Sequence, residues 1–127
     1  MTGLIRVCAA ALAAVSLCAG TAGARQEATE TYPVEALAGV LGELHFIQFK
    51  CEGRNAQLWR ETMLELLELE APTRGALRDR LIETFNAGFR AQQRRDTRCG
   101  AEAEVQSDRL SARGRSLSEQ LRRTYLE

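Results

Sequence analysis

The chain is 127 residues long, with 17 basic and 17 acidic side chains, one histidine, four cysteines and two prolines. A formally neutral chain is not a general nucleic-acid binder, whose domains are basic, and this length allows one domain with a core just large enough to fold alone. Alanine, leucine, glutamate and arginine dominate and β-branched residues are few, a composition that favours helix over sheet.

Met1 to Ala24 reads as a secretory signal: Arg6 supplies the positive n-region, Val7 to Cys18 the apolar stretch, and Ala22-Gly23-Ala24 the small-residue cleavage site. The apolar stretch falls short of the ~20 residues that a transmembrane helix needs. Leu17 is too large for the usual position before a lipidated cysteine. Cys8 and Cys18 leave with the signal, so the mature chain keeps only Cys51 and Cys99, in a compartment where thiols oxidise. The expected address is the periplasm, across the inner membrane. Residues 25–70 carry nine acids and four bases, and residues 71–127 carry eight acids and twelve bases. Two oppositely charged helix pairs that attract one another account for this, and an exposed basic face for an anionic envelope component is the sharper alternative.

Arg25 to Thr31 is polar and expected to be disordered, and residues 32–127 then form a single helical domain. Helix 1 is predicted from Pro33 to Lys50, with Val34, Leu37, Leu41, Leu44 and Ile47 at helical spacing and Pro33 in the first turn. Gly53-Arg54-Asn55 is the following turn, with Asn55 as N-cap of helix 2. Helix 2 runs to Glu70 with Trp59, Met63, Leu66 and Leu67 as its stripe, and Ala71-Pro72-Thr73 breaks it. Helix 3 extends from about Thr73 to Arg95 on Leu77, Leu81, Phe85 and Phe89, with Gly88 on the same side. Helix 4 extends from about Cys99 to Tyr125, with Cys99, Ala103, Gln106, Leu110, Leu117, Leu121 and Tyr125 forming a seam close to that of a coiled coil. Gly42 and Gly88 interrupt helices at a cost of up to about 1 kcal/mol each relative to alanine, which close helix approach explains.

Short links favour antiparallel neighbours, so the expected fold is all-α, an up-down-up-down four-helix bundle. That topology brings the end of helix 1 and the start of helix 4 together, and with them Cys51 and Cys99. A bridge there closes a loop of about 48 residues, worth roughly 4 kcal/mol on the chain-entropy account. The cysteines lack the C-x-x-C spacing that tunes a redox pair.

Metal-ligand spacings, a haem-attachment motif, a phosphate-binding glycine loop and a nucleophile elbow are all missing from the sequence, so no cofactor and no metal are expected. One constellation stands out. His45, Arg60 and Arg90 fall at similar heights below the disulfide end, with Asn86 one turn deeper and Trp59 and Phe89 as walls. Two arginines beside an imidazole can hold a carboxylate or phosphate. The alternative is that these side chains pair with Glu43, Glu52 or Glu61 and reach for water. Phe46 and Phe49 lie off the main stripe of helix 1, through a broad stripe or as a patch for a partner.

Leu41-Gly42-Glu43-Leu44-His45, Cys51, Trp59-Arg60, Met63, Glu70, Phe85-Asn86-Ala87-Gly88-Phe89-Arg90 and Cys99 together resemble a family of small exported alphaproteobacterial proteins defined only as a domain of unknown function. The resemblance spans Tyr32 to about Tyr125. It departs from the family's usual form at Lys50, where leucine is usual, and at Phe89, where tyrosine is usual. The resemblance implies a periplasmic address and supplies no activity. The expected function is a non-enzymatic module that binds another envelope protein or envelope component, without nucleic acid and without a transmembrane span, with a second copy able to pair through helix 4. Binding of a small anion through Arg60, Arg90 and His45 is the alternative, and an enzyme with His45 as general base comes third.

Overall fold

The first helix is apolar on nearly every side, and a helix of that kind belongs inside a structure rather than on its edge. In the computed structural model, which describes residues 33–127, α1 (Pro33–Glu52) buries Leu37, Ala38, Val40, Leu41, Leu44, His45, Phe46 and Ile47. The expected signal segment 1–24, with Cys8 and Cys18, and the polar segment 25–31 lie outside the described residues. Three further helices surround α1: α2 (Leu58–Glu70), α3 (Ala76–Arg95) and α4 (Ala101–Leu126). The all-α four-helix fold is therefore as expected, and the described residues contain no strand.

Within that fold α1 is the hub. In a square bundle its neighbours are α2 and α4, yet its most extensive interface is with α3. α2 meets α3 only lightly, and no Cα of α4 comes within 8 Å of one in α2 or α3. Gly42 and Gly88 account for the α1–α3 contact. A Cβ at Gly42 would overlap the carbonyl oxygen of Phe85, and one at Gly88 would overlap the carbonyl oxygen of Gly39. The two helices thus meet backbone against backbone, closer than the usual 8–10 Å axis separation permits with larger side chains. The core spreads outward from this crossing through Met63, Leu66 and Leu67 of α2, Leu81 of α3, and Ala103, Leu110 and Leu117 of α4.

One end of the molecule is tied closely. Cys51, in the last turn of α1, is bonded to Cys99 just before α4, with Cα atoms 5.5 Å apart. Lys50 reaches across to the Asp96 carboxylate at 2.9 Å and the Thr97 carbonyl at 2.8 Å. Gln92, fully buried, donates to the Thr97 hydroxyl at 2.7 Å and accepts from Gln106 at 3.4 Å, so its amide is satisfied. Asp96 adopts a left-handed backbone at φ 52° to end α3, a conformation that aspartate tolerates better than most residues.

Two helix starts differ from the sequence expectation. Asn55 does not cap α2. The turn is longer, Gln57 takes the cap position, and its side chain turns back to the Arg54 carbonyl instead. α3 begins at Ala76 rather than Thr73, because Gly75 at φ 153° completes the break that Pro72 begins. Gly88→Ala is expected to destabilise the protein by about 3 kcal/mol, since a backbone oxygen cannot move aside as a side chain can. Gly114→Ala, whose Cβ would meet nothing closer than 3.6 Å, is expected to stabilise it by about 0.5–1 kcal/mol. Urea unfolding of the two variants measures both.

Candidate functional site

His45 lies in the last third of α1, only 8% exposed, in a cage of phenylalanines. Its ring stacks on Phe85 at 5.7 Å between centroids and tilts against Phe89 at 5.7 Å and Phe49 at 6.4 Å. Its Nδ1 is buried without a hydrogen-bond partner. Loss of hydration pushes the imidazole below its ordinary value of 6.5, and the Arg60 guanidinium acts in the same direction. The ring is therefore neutral at physiological pH, and no carboxylate orients it. A general base is oriented through a hydrogen bond to its second ring nitrogen, and Nδ1 of this imidazole has no such partner among the described residues.

The rest of the expected constellation disperses. Arg90 pairs with Glu83 at 2.8 Å on the outer face of α3, two turns below itself. Asn86 is exposed. Trp59 and Arg60 are consecutive on a helix and so point about 100° apart. Arg60 bears on His45 while Trp59 turns to the other side of α2. Phe46 is buried edge-on against Phe89, with centroids 5.1 Å apart, so it is not an exposed partner patch. Phe49 is half-buried on the same ring. Among the described residues no group of three or more His, Cys, Asp or Glu side chains could hold a metal ion.

The open feature lies on the other flank. α2 and α4 stand apart over α1 and leave a groove of about 720 Å³. Its floor is Leu37, Val40, Leu41 and Leu44; Trp59, Leu66 and Leu69 form one wall and Ser111, Gly114 and Ser118 the other. Glu65 lies on the α2 rim and Arg115 on the α4 rim. At the end away from the disulfide the groove runs out past Leu69, 79% exposed. Tyr125 and Leu126 are also exposed at that end, and the Tyr125 hydroxyl donates to Glu70.

Residues 32–125 match the family model described as "Protein of unknown function (DUF2385)". The chain belongs to that family. Comparison with curated proteins and with solved structures gives no match. The family description assigns no chemistry, and the largest opening described above is the mostly apolar groove between α2 and α4. Of the residues singled out in the sequence, Cys51 and Cys99 are brought together, His45 and Arg60 are electrostatic neighbours, and Trp59 enters the groove. Sequence reasoning missed Leu69 and the small-residue wall, although Ser111, Gly114 and Ser118 do recur at helical spacing.

His45 has a defined signature in solution. A histidine with a depressed folded-state value binds its proton more readily when unfolded, so its contribution to stability is complete above pH 6.5 and is lost as pH falls below it. His45→Leu is expected to flatten that part of the stability–pH curve relative to wild type, and Arg60→Gln to move the imidazole titration upward. Denaturant titrations at a series of pH values and proton NMR of the imidazole read the two effects.

Proposed function

We propose that this protein is an exported, non-enzymatic module of the periplasm that holds an amphipathic helical segment of an envelope protein in the α2/α4 groove. The groove itself carries the reading. The groove is lined mostly by apolar side chains, with Trp59 half-buried and Leu69 exposed at its lip, and a channel between two helices suits a third helix laid along it. From Ser111 to Arg122 the α4 wall spans twelve residues, which at about 1.5 Å each is roughly three helical turns. Ser111, Gly114 and Ser118 let a partner backbone come close. Glu65 and Arg115 make no ion pair among the described residues, so a partner helix basic along one flank and acidic along the other complements both rims.

Export is supported by the signal-like first 24 residues, by a disulfide between Cys51 and Cys99, and by the observation that no helix among the described residues is long and apolar enough to cross a membrane. A non-enzymatic role is supported by the burial of His45 among phenylalanines with its Nδ1 unpartnered.

The test is photo-crosslinking in cells, from the full chain, with the reactive residue at Ser118 on the groove rim or at Asn86 on the outer face of α3. Ser118 is expected to trap one protein whose linked peptide has apolar residues at helical spacing. Leu69→Glu should lower the yield about tenfold, the equivalent of roughly 1.4 kcal/mol of lost contact. No trap beyond the Asn86 control, a trap indifferent to Leu69→Glu, or a trapped second copy of the chain overturns the proposal.

A further inference from the structure

The opposite flank carries a second opening of different chemistry. α3 and α4 both pack on α1, and the Gln106–Gln92 contact joins them side chain to side chain. Glu43 of α1 lies half-buried beneath the seam between them. Loss of hydration raises its carboxyl above the ordinary value, against an opposing pull from Arg113 of α4 and Arg95 of α3. Two guanidinium groups from different helices therefore act electrostatically on one carboxylate. Arg109 stands one turn before Arg113, and a recess of about 600 Å³ has Arg95, Gln106 and Arg109 in its lining.

Some arginines of the chain are already engaged by an acid. Arg78, Arg80, Arg90, Arg98 and Arg122 each lie against a glutamate. Among the described residues Arg95, Arg109 and Arg113 have no ion pair within 4.0 Å, and neither has Glu43. Glu102, also on the recess, is occupied by Arg98 at 3.1 Å. Arg95 and Arg109 thus give the recess an excess of positive charge, and Arg95 and Arg113 both act on the unpaired Glu43 carboxylate. Guanidinium forks match the oxygens of a tetrahedral oxyanion two at a time.

We propose that the α3/α4 seam is a binding site for a phosphate-type oxyanion, received by Arg95 and Arg109 with Arg113 alongside. The phosphate can be free or part of an anionic lipid headgroup, and the site is separate from the groove and independent of what the groove holds.

The test compares the full mature chain with an Arg95→Gln/Arg109→Gln double variant and with Arg123→Gln, a control on the last turn of α4. Inorganic phosphate is titrated against sodium chloride at equal ionic strength, with melting temperature and calorimetry as readouts. Vesicles of phosphatidylglycerol are compared with vesicles of phosphatidylcholine by co-sedimentation. Phosphate is expected to raise the melting temperature of wild type above the chloride control. The double variant should bind it about tenfold more weakly or worse, and Arg123→Gln as wild type does. A response to phosphate supports a site open to the free ion. Binding to phosphatidylglycerol vesicles alone, lost in the double variant, supports the headgroup as the source. Equal responses to phosphate and chloride together with equal sedimentation on both vesicles overturn the proposal, as does a double variant that binds like wild type.

Discussion

The backbone contacts that Gly42 of α1 makes with α3, and Gly88 of α3 with α1, govern the rest of this structure. With no Cβ on either side, the two helices touch through their backbones, and α3 takes a place against α1 that a square bundle gives to no helix. α2 and α4 then flank α1 without reaching one another. Every helix must bury its apolar stripe against something, and here α1 serves all three. That arrangement explains why α1 is apolar nearly all round while the other three each bury only three residues of their stripes. It also explains the two openings. The groove and the seam are the spaces that remain when three helices pack on one and only lightly on each other.

The two ends of the molecule are built differently. At one, the Cys51–Cys99 bond, the Lys50 contacts with Asp96 and Thr97, and the buried Gln92 amide fix the α3–α4 connection to the end of α1. At the other, Leu69, Tyr125 and Leu126 stay exposed. Because the helices that supply the groove's floor and its α4 wall are joined covalently at one end, the binding proposed above would carry a smaller ordering cost.

Much of this was legible in the sequence because it is periodic. The stripe Leu37, Leu41, Leu44 and Ile47, the heptad Ala103, Leu110 and Leu117, and the breaks at Gly53 and Pro72 each follow from local rules, and the cysteine positions followed from the topology. The helical glycines pointed to a close approach, though not to which helix approaches. What the sequence did not carry was direction. Residue height along a bundle placed His45, Arg60 and Arg90 in one layer, but Arg90 turns outward to Glu83 and Trp59 turns away from Arg60. Phe46 lies off the single stripe that periodicity assigns to α1, but the neighbours of α1 cover most of its circumference. The groove has no periodic signature at all, since it comes from the spacing between helices rather than from any one of them.

The central claim is that the α1–α3 crossing is the most stable part of the fold and that α2 is the element most readily released. Native-state hydrogen exchange measures this residue by residue. The account predicts the slowest amides at Gly42 to Phe46 and Phe85 to Phe89, with α2 opening at lower free energy. Amides of α2 as slow as those of α1, or slowest exchange confined to α4, would contradict it.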